Sequence, residues 1–281
     1  MSEVWTIRRV LDWTLARFSD RGKATPRLDA ELLLAHVLSQ SRVFLYTHFD
    51  QPLSAPELTA FRALIKRRLE GHAVAYLIGK KEFCSLELFV DERVLIPRPD
   101  TETLIDVAIE RFVEAPKTIV DIGTGSGAIA LALKKKWPAA RVIAVDASAA
   151  ALEVARLNSE RLSLPIECVQ SDLLGSINDR VDLIVSNPPY IPTGEIGKLS
   201  AEVQREPHAA LDGGKDGLDV LRRLCAEAPA KLLPGGVLAV EFGAGQSDQL
   251  VERFTEQRFV DIAGNRDLGG VERVVSGARP R

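Results

Sequence analysis

Between residues 118 and 146 the chain reads as strand, glycine-rich turn, helix and strand, an order that few folds accept. Thr118-Ile119-Val120 is a short β-branched, apolar run, the mark of a strand buried on both faces. It leads through Asp121-Ile122-Gly123-Thr124-Gly125-Ser126-Gly127 into a helix carrying Ile129, Leu131 and Leu133. The next strand, Arg141 to Val145, ends in Asp146. Such units, repeated, build a doubly wound sheet with ligands at the carboxyl ends of its strands. Gly123, Gly125 and Gly127 remove side chains where a backbone must approach a ligand closely. Their GxGxG spacing is not the GxGxxG of dinucleotide binders, so a pyrophosphate is not the expected guest. Asp146 is placed to accept both hydroxyls of a ribose. Asp172 and Leu173, after the third strand Ile166 to Gln170, are placed to border an adenine ring.

A second motif follows the apolar run Val181 to Val185: Asn187-Pro188-Pro189-Tyr190. Two prolines remove two backbone donors and fix two φ angles, and Pro188 pushes Asn187 into an extended shape. The result is a stiff loop with free carbonyls, one amide side chain and an aromatic face. An isolated Asn-Pro reads as a turn. After a buried strand, and downstream of a glycine-rich site, it reads as a receptor for a flat group carrying an NH2.

The remaining sequence sets the frame. At 281 residues, with 46% hydrophobic and 27% charged residues, the chain has ample material for a core and one or two domains. No uninterrupted apolar stretch is long enough for a membrane span, and the charged start MSEVWTIRRVLDW has no signal-peptide core. Three widely spaced cysteines without a CxxC pair suit reduced thiols in the cytoplasm. Four scattered histidines give no metal-ligand spacing, so no metal is expected. A net charge of −3 argues against a chain that lives on naked nucleic acid.

Residues 1–71 read as a helical domain. Ile7, Val10, Leu11, Thr14, Leu15 and Phe18 share one face. Thr25-Pro26 starts a second helix, with Leu28, Leu32, Ala35 and Leu38 as its apolar positions. Ser54-Ala55-Pro56-Glu57 is a capping box ahead of a third helix that Gly71 closes. Arg62, Lys66, Arg67 and Arg68 give that helix a basic side, either a solvated face or a contact for an acidic partner or ribosomal RNA. Residues 72–97 form a linker in which Lys81 to Val90 alternates with a slip near Cys84 and pairs as a hairpin with Val94-Leu95-Ile96. Residues 98–281 hold the sheet. Its last strands, near Phe259 to Ile262 and Arg273 to Ser276, are too close in sequence for a helical crossover and should pair antiparallel. The long segment 191–217 should shape a substrate cleft.

Five stretches, RVLIPRPDTETLI (93–105), DIGTGSGAIALAL, the AVD ending at Asp146, SNPPYIP and EPHAALDGGKDGLDVLRRL, together resemble the HemK/PrmC family of protein-glutamine methyltransferases. They cover most of residues 72–281 in the family's order. The resemblance implies a class I methyltransferase fold: a Rossmann-like, mostly parallel seven-stranded sheet with a terminal antiparallel hairpin, plus a small N-terminal helical domain. It implies S-adenosyl-L-methionine as methyl donor and, as substrate, the glutamine of the Gly-Gly-Gln motif in peptide chain release factors, with possible proximity to the ribosome and neither membrane nor direct DNA contact. It also places Arg98 to Glu102 as a wall of the substrate cleft. Many relatives carry a tryptophan where this chain has Cys84, and often an aromatic where it has Leu173.

An amide nitrogen is a poor nucleophile that no ordinary side-chain base deprotonates beforehand. Asn187 Oδ1 and the Pro188 carbonyl would instead hold the NH2 and orient it for in-line attack, while Tyr190 packs on the amide plane. Three alternatives share parts of this pattern. A glutamine methyltransferase of a large-subunit ribosomal protein tends to read PRSPI where this chain has Pro97-Arg98-Pro99-Asp100-Thr101. A DNA adenine amino-methyltransferase would need a target-recognition domain and a basic cleft. A non-catalytic ribosome-associated binding protein would not need Asn187, Asp146 and all three glycines intact.

Overall fold

The computed structural model describes residues 4–281. The chain divides into a helical unit, running to Gly79 and taking in Ser200–Arg205, and a sheet unit, Lys80–Leu199 with Glu206–Arg281.

The helical unit is built from α1 (Ile7–Asp20), α2 (Pro26–Leu38), α3 (Arg42–Thr47), α4 (Ala55–Leu69) and α5 (Val74–Ile78). Helix α1 starts where the Thr6 hydroxyl accepts from Arg9 N and buries Ile7, Val10, Leu11, Thr14 and Phe18. Helix α4 has the expected capping box: Ser54 and Glu57 satisfy one another's backbone N–H, which lowers the Glu57 pKa. Helix α2 departs from its expected phase. Its buried apolar residues are Ala30, Leu33, Leu34 and Ala35, and Leu28 is exposed. The reason is a pair of buried acids. Glu31 accepts hydrogen bonds from Arg27, Arg42 and Tyr46. Asp29 is bonded by Arg68 at 2.7 Å. Arg68 therefore does not contribute to a basic surface: it is 3% exposed and also meets Glu202, from the inserted segment, at 2.5 Å. The Thr25 hydroxyl bonds Asp29 instead of capping α2.

In the sheet unit, β1 (Lys81–Phe83) and β2 (Leu86–Leu88) form a two-stranded hairpin on their own. The expected partner, Val94 to Ile96, is not a strand. The slip near Cys84 is in fact the turn: Cys84 and Ser85 both have positive φ, 46° and 55°, as a two-residue turn of the favoured hand requires. Glu102 accepts from Cys84 N, and Lys135 Nζ donates to Ser85 O, so the strained pair is held from outside. Burial, Glu102 and Asp106 push the Cys84 thiol up to about 12, and it stays protonated.

After α6 (Glu102–Glu110) come β3 (Thr118–Ile122), α7 (Ala128–Lys136), β4 (Arg141–Asp146), α8 (Ala149–Leu162), β5 (Glu167–Gln170), β6 (Val181–Ser186), α9 (Asp219–Lys231), β7 (Leu232–Glu241), α10 (Ser247–Glu256), β8 (Val260–Arg266) and β9 (Glu272–Ala278). The strands lie in the order β5-β4-β3-β6-β7-β9-β8, with β9 antiparallel to both of its neighbours. Residues alternate between two cores. Ile119, Leu183, Val185 and Ala239 pack with Leu104 of α6 and Ile129 of α7. Val120, Ile184 and Val240 pack with Leu221 of α9 and Leu250 of α10. Each fully buried Leu or Ile stabilises by about 1.5–3 kcal/mol, so the two-sided burial is what fixes the register.

Candidate active site

Strand order reverses between β3 and β6: the chain runs β3, β4, β5 to one side, then β6 and β7 to the other. A crevice opens at the carboxyl ends of the strands at such a switch point. Both motifs lie there, because Ile122 pairs with Ser186 and the next residues are Gly123 and Asn187. The Ser186 hydroxyl donates to Ile122 O at 2.8 Å. A Cβ placed on Gly123 would stand 4.0 Å from the Asn187 carbonyl oxygen.

The glycine turn folds back over β4. Gly123 N and Thr124 N both donate to Val145 O, at 2.8 and 2.9 Å. Asp146 then receives Gly125 N on Oδ2 and Ser148 N on Oδ1, each at 2.9 Å. Burial raises the Asp146 pKa, and these backbone donors oppose the rise. Gly123, Gly125 and Gly127 have φ of 71°, 54° and 82°, a region closed to most side chains. Thr124 and Ser126 turn inward and are buried. Asp121 lies beneath the turn, fully buried: its Oδ2 accepts from the Thr124 hydroxyl and Ala130 N, and Oδ1 has no hydrogen-bond partner among the described residues. Burial pushes this carboxyl up to about 7. Asp172 follows β5 with an exposed carboxylate paired to Arg223 at 2.8 Å. Leu173, at φ 47°, is buried in the core that contains Val145.

Around the second motif, Asn187 Nδ2 donates to Thr101 Oγ1 at 2.9 Å, and Oδ1 has no partner among the described residues. Pro188 is buried, and Pro189 and Tyr190 are half-buried. The Tyr190 hydroxyl donates to Glu241 Oε1 at 3.3 Å, while burial and the Glu241 charge raise its pKa. Gln246 holds the tyrosine backbone by donating to Tyr190 O at 3.0 Å. Gly217 is forced by the same contact: its φ is 80°, and a Cβ there would meet Tyr190 O at 2.2 Å. Arg98 donates to Glu206 Oε1 at 2.5 Å, and Glu206 Oε2 accepts from Ile96 N. The expected wall residue Arg98 is thus tied to the returning end of segment 191–217.

Sequence alone does not mark Thr101, Gly217, Glu241 and Gln246 individually as neighbours of the amide loop, where the structure places them. Glu241 carried a usable signal, an acid ending an apolar strand, the same signal that marked Asp146. Among the described residues, no three His, Cys, Asp or Glu side chains converge as a metal site requires. No helix among them is long and apolar enough to cross a membrane.

A parallel sheet closed by an antiparallel strand, with a glycine turn, a strand-end acid and a Pro-Pro amide loop at its switch point, defines a class I methyltransferase. Residues 9–79 match the family model "PrmC N-terminal domain" and residues 100–206 match "Methyltransferase small domain". A release factor glutamine methyltransferase of Geobacter sulfurreducens is 44% identical over 98% of this chain and 97% of its own length. One from Rhodopirellula baltica is 42% identical over 97% and 96%. In fold, a methyltransferase from Pyrococcus furiosus superposes with a TM-score of 0.55 at 21% identity, over 77% of this chain and 98% of that one. The chain belongs to the release factor glutamine methyltransferase family.

Proposed function

We propose that this protein transfers a methyl group from S-adenosyl-L-methionine to the side-chain amide nitrogen of the glutamine in the Gly-Gly-Gln motif of peptide chain release factors. One observation carries the reading: Asn187 Oδ1 has no partner among the described residues, on a loop stiffened by two prolines and beside a glycine turn whose Thr124 and Ser126 side chains are buried.

The residues present suit the methyl donor. Gly123 and Gly125 leave room at the end of β3, where a Cβ on Gly125 would meet nothing within 4 Å. Asp146 would hold the ribose with lone pairs its two backbone donors leave free. Asp121, Thr124, Ser126 and Gly127 fix the shape of the turn. Asp172 and Leu173 would border the adenine. Bound there, S-adenosyl-L-methionine supplies an electrophilic sulfonium methyl.

The chain's own work is positional. Asn187 Oδ1 and the Pro188 carbonyl accept from the two N–H groups of the substrate amide, aiming its nitrogen and favouring the positive charge that grows on it. Tyr190 covers the amide plane and excludes water, and Arg98 walls the cleft. Neither histidine nor carboxylate is required as a base, because the nitrogen becomes acidic only on alkylation. A lone glutamine offers little surface for selection, so remote contacts through the helical unit would provide the discrimination.

The test is to incubate the purified protein with release factor and S-adenosyl-L-methionine and to map the product by mass spectrometry. The Gly-Gly-Gln glutamine should gain one methyl group. Modification of a ribosomal protein or of adenine in DNA instead would overturn the assignment.

A further inference from the structure

Helices α1 and α4 both pack on α2 and flank a furrow on the surface of the helical unit. Its wider end is a cavity of about 440 Å³, with Trp13, Arg17 and Arg21 on one side and Arg62, Lys66 and Leu69 on the other. A second cavity of about 210 Å³ continues it past Val10, Leu58 and Phe61, and the two share Trp13, Arg62 and Ile65. Helical spacing makes the walls. Leu58, Phe61, Ile65 and Leu69 of α4 recur at steps of three and four, as do Val10, Trp13 and Arg17 of α1, so each helix turns one stripe to the furrow. The α4 stripe is about 16 Å long.

The floor is apolar and the rim is cationic. Phe61 and Ile65 are buried, whereas Trp13 is 51% exposed. Single exposed apolar side chains are ordinary; Trp13 differs in standing beside a furrow whose floor is also apolar. Arg17, Arg21 and Arg62 are exposed and have no carboxylate partner among the described residues. Lys66 has Glu70 at 4.0 Å. Other arginines of the same unit are paired, Arg27 and Arg42 with Glu31 and Arg68 with Asp29. The three unpaired guanidinium groups make a local positive field on a chain whose formal net charge is −3.

We propose that the furrow between α1 and α4 is a docking site for an acidic amphipathic helix of a partner protein. Its apolar side chains would rest on Phe61 and Ile65 beside Trp13, and its carboxylates would meet Arg17, Arg21 and Arg62. Charge complementarity names the acids, because the guanidinium fork matches a carboxylate with two hydrogen bonds. The floor names the rest: a groove of this kind is read by side chains at i, i+3, i+4 and i+7 of a helix. Tryptophan and arginine are also the residues that most often dominate binding energy at protein interfaces. A nucleic acid strand would satisfy the rim through its phosphates but leave the aliphatic floor uncovered. Docking here is independent of the methyl-transfer reaction, since it needs neither the glycine turn nor Asn187.

The experiment titrates the full-length protein into a fluorescein-labelled synthetic peptide and reads anisotropy. The peptide has about 14 residues, enough to span the furrow, with leucines at i, i+3, i+4 and i+7 and glutamates on the flanks. It should bind at micromolar concentration and more weakly as salt rises, and the same peptide with lysine for glutamate should not bind. Arg17→Glu and Arg62→Glu should each weaken binding about tenfold or more, and Trp13→Ala about 30-fold, the scale of an interface hot spot. Arg180→Glu, an exposed position on the sheet unit, should change nothing. All four side chains are exposed, so each variant should keep the unaltered thermal midpoint, which separates lost docking from lost folding. Absence of binding, or affinity indifferent to Trp13→Ala, overturns the proposal, as does equal loss in Arg180→Glu and Arg62→Glu. A polyuridine strand that binds more tightly than the peptide, and is lost in the same three variants, would assign the furrow to nucleic acid instead. Dimerisation in sedimentation that Trp13→Ala abolishes would assign it to a second copy.

Discussion

Replacing Arg68 with methionine should destabilise the helical unit severely, although α4 would lose no apolar contact. Arg68 and Asp29 are 3% and 4% exposed and meet at 2.6 Å. Removing the arginine leaves Asp29 as a buried charge with the Thr25 hydroxyl as its one remaining side-chain bond. Breaking a buried pair from one side costs about 3–5 kcal/mol, because the survivor is desolvated and uncompensated. At a urea dependence of about 1.5 kcal/mol per molar, that shifts the unfolding midpoint down by about 2–3 M. Replacing both partners, as Asp29→Leu with Arg68→Met, should recover most of the loss, since an apolar pair of similar volume is often neutral. Tryptophan fluorescence is a suitable probe: Trp5 and Trp13 lie in the helical unit, and Trp137→Phe would silence the sheet unit. Losses under about 1 kcal/mol in Arg68→Met, or a double variant as weak as the sum of the singles, would refute the argument.

Asn187→Ala should keep the fold and cofactor affinity and lower turnover by about two to three orders of magnitude, the scale for one preorganised polar contact; near-normal turnover in a single-turnover assay would remove its role. Asp146→Ala should weaken S-adenosyl-L-methionine binding in calorimetry far more than it changes turnover at saturation, since ribose contacts alter little during transfer; unchanged affinity would mean that another group holds the ribose. Asp121 has its pKa raised from 3.8 to about 7, so the folded state binds its proton more tightly than the unfolded chain does. Its contribution to stability is therefore complete below about pH 4 and lost as pH rises through about 7. Asp121→Asn should flatten that decline in thermal melts across the window, and identical slopes in the two proteins would contradict it.

The glycine turn, the Pro-Pro loop and the strand order were legible because each follows from neighbouring residues. Gly123 to Gly127 announce a turn through their own backbone freedom, and Val181 to Val185 a strand through continuous apolarity. What failed depended on partners distant in the chain. An apolar face drawn through Leu28, Leu32, Ala35 and Leu38 takes no account of Asp29 and Glu31, and nothing local shows that Arg68 and Arg42 pair with them in the interior. Cys84 and Ser85 hid a hairpin turn because neither is a residue that ordinarily adopts positive φ. The connection of Asn187 to Thr101 spans 86 positions, and that of Tyr190 to Glu241 spans 51. Such links emerge only when strand ends converge.

The helical unit is discontinuous in sequence, and this has a consequence for how the chain can be cut, swapped or evolved. The backbone passes between the units three times, at 79/80, 199/200 and 205/206. Segment 200–205 is held by Arg68 to Glu202, by Lys23 to Glu202 and by Arg205 to Glu70 O. It lies within the long loop that begins at the amide receptor. Anchoring it divides one long closure into two short ones, and each short loop loses less entropy on ordering than the whole would. A deletion that removes only the N-terminal helices would therefore also release the loop rooted at Tyr190. Grafting the helices of a relative would require its counterpart of 200–205 to travel with them. The two units are interleaved in sequence: change in one is constrained by six residues encoded in the middle of the other.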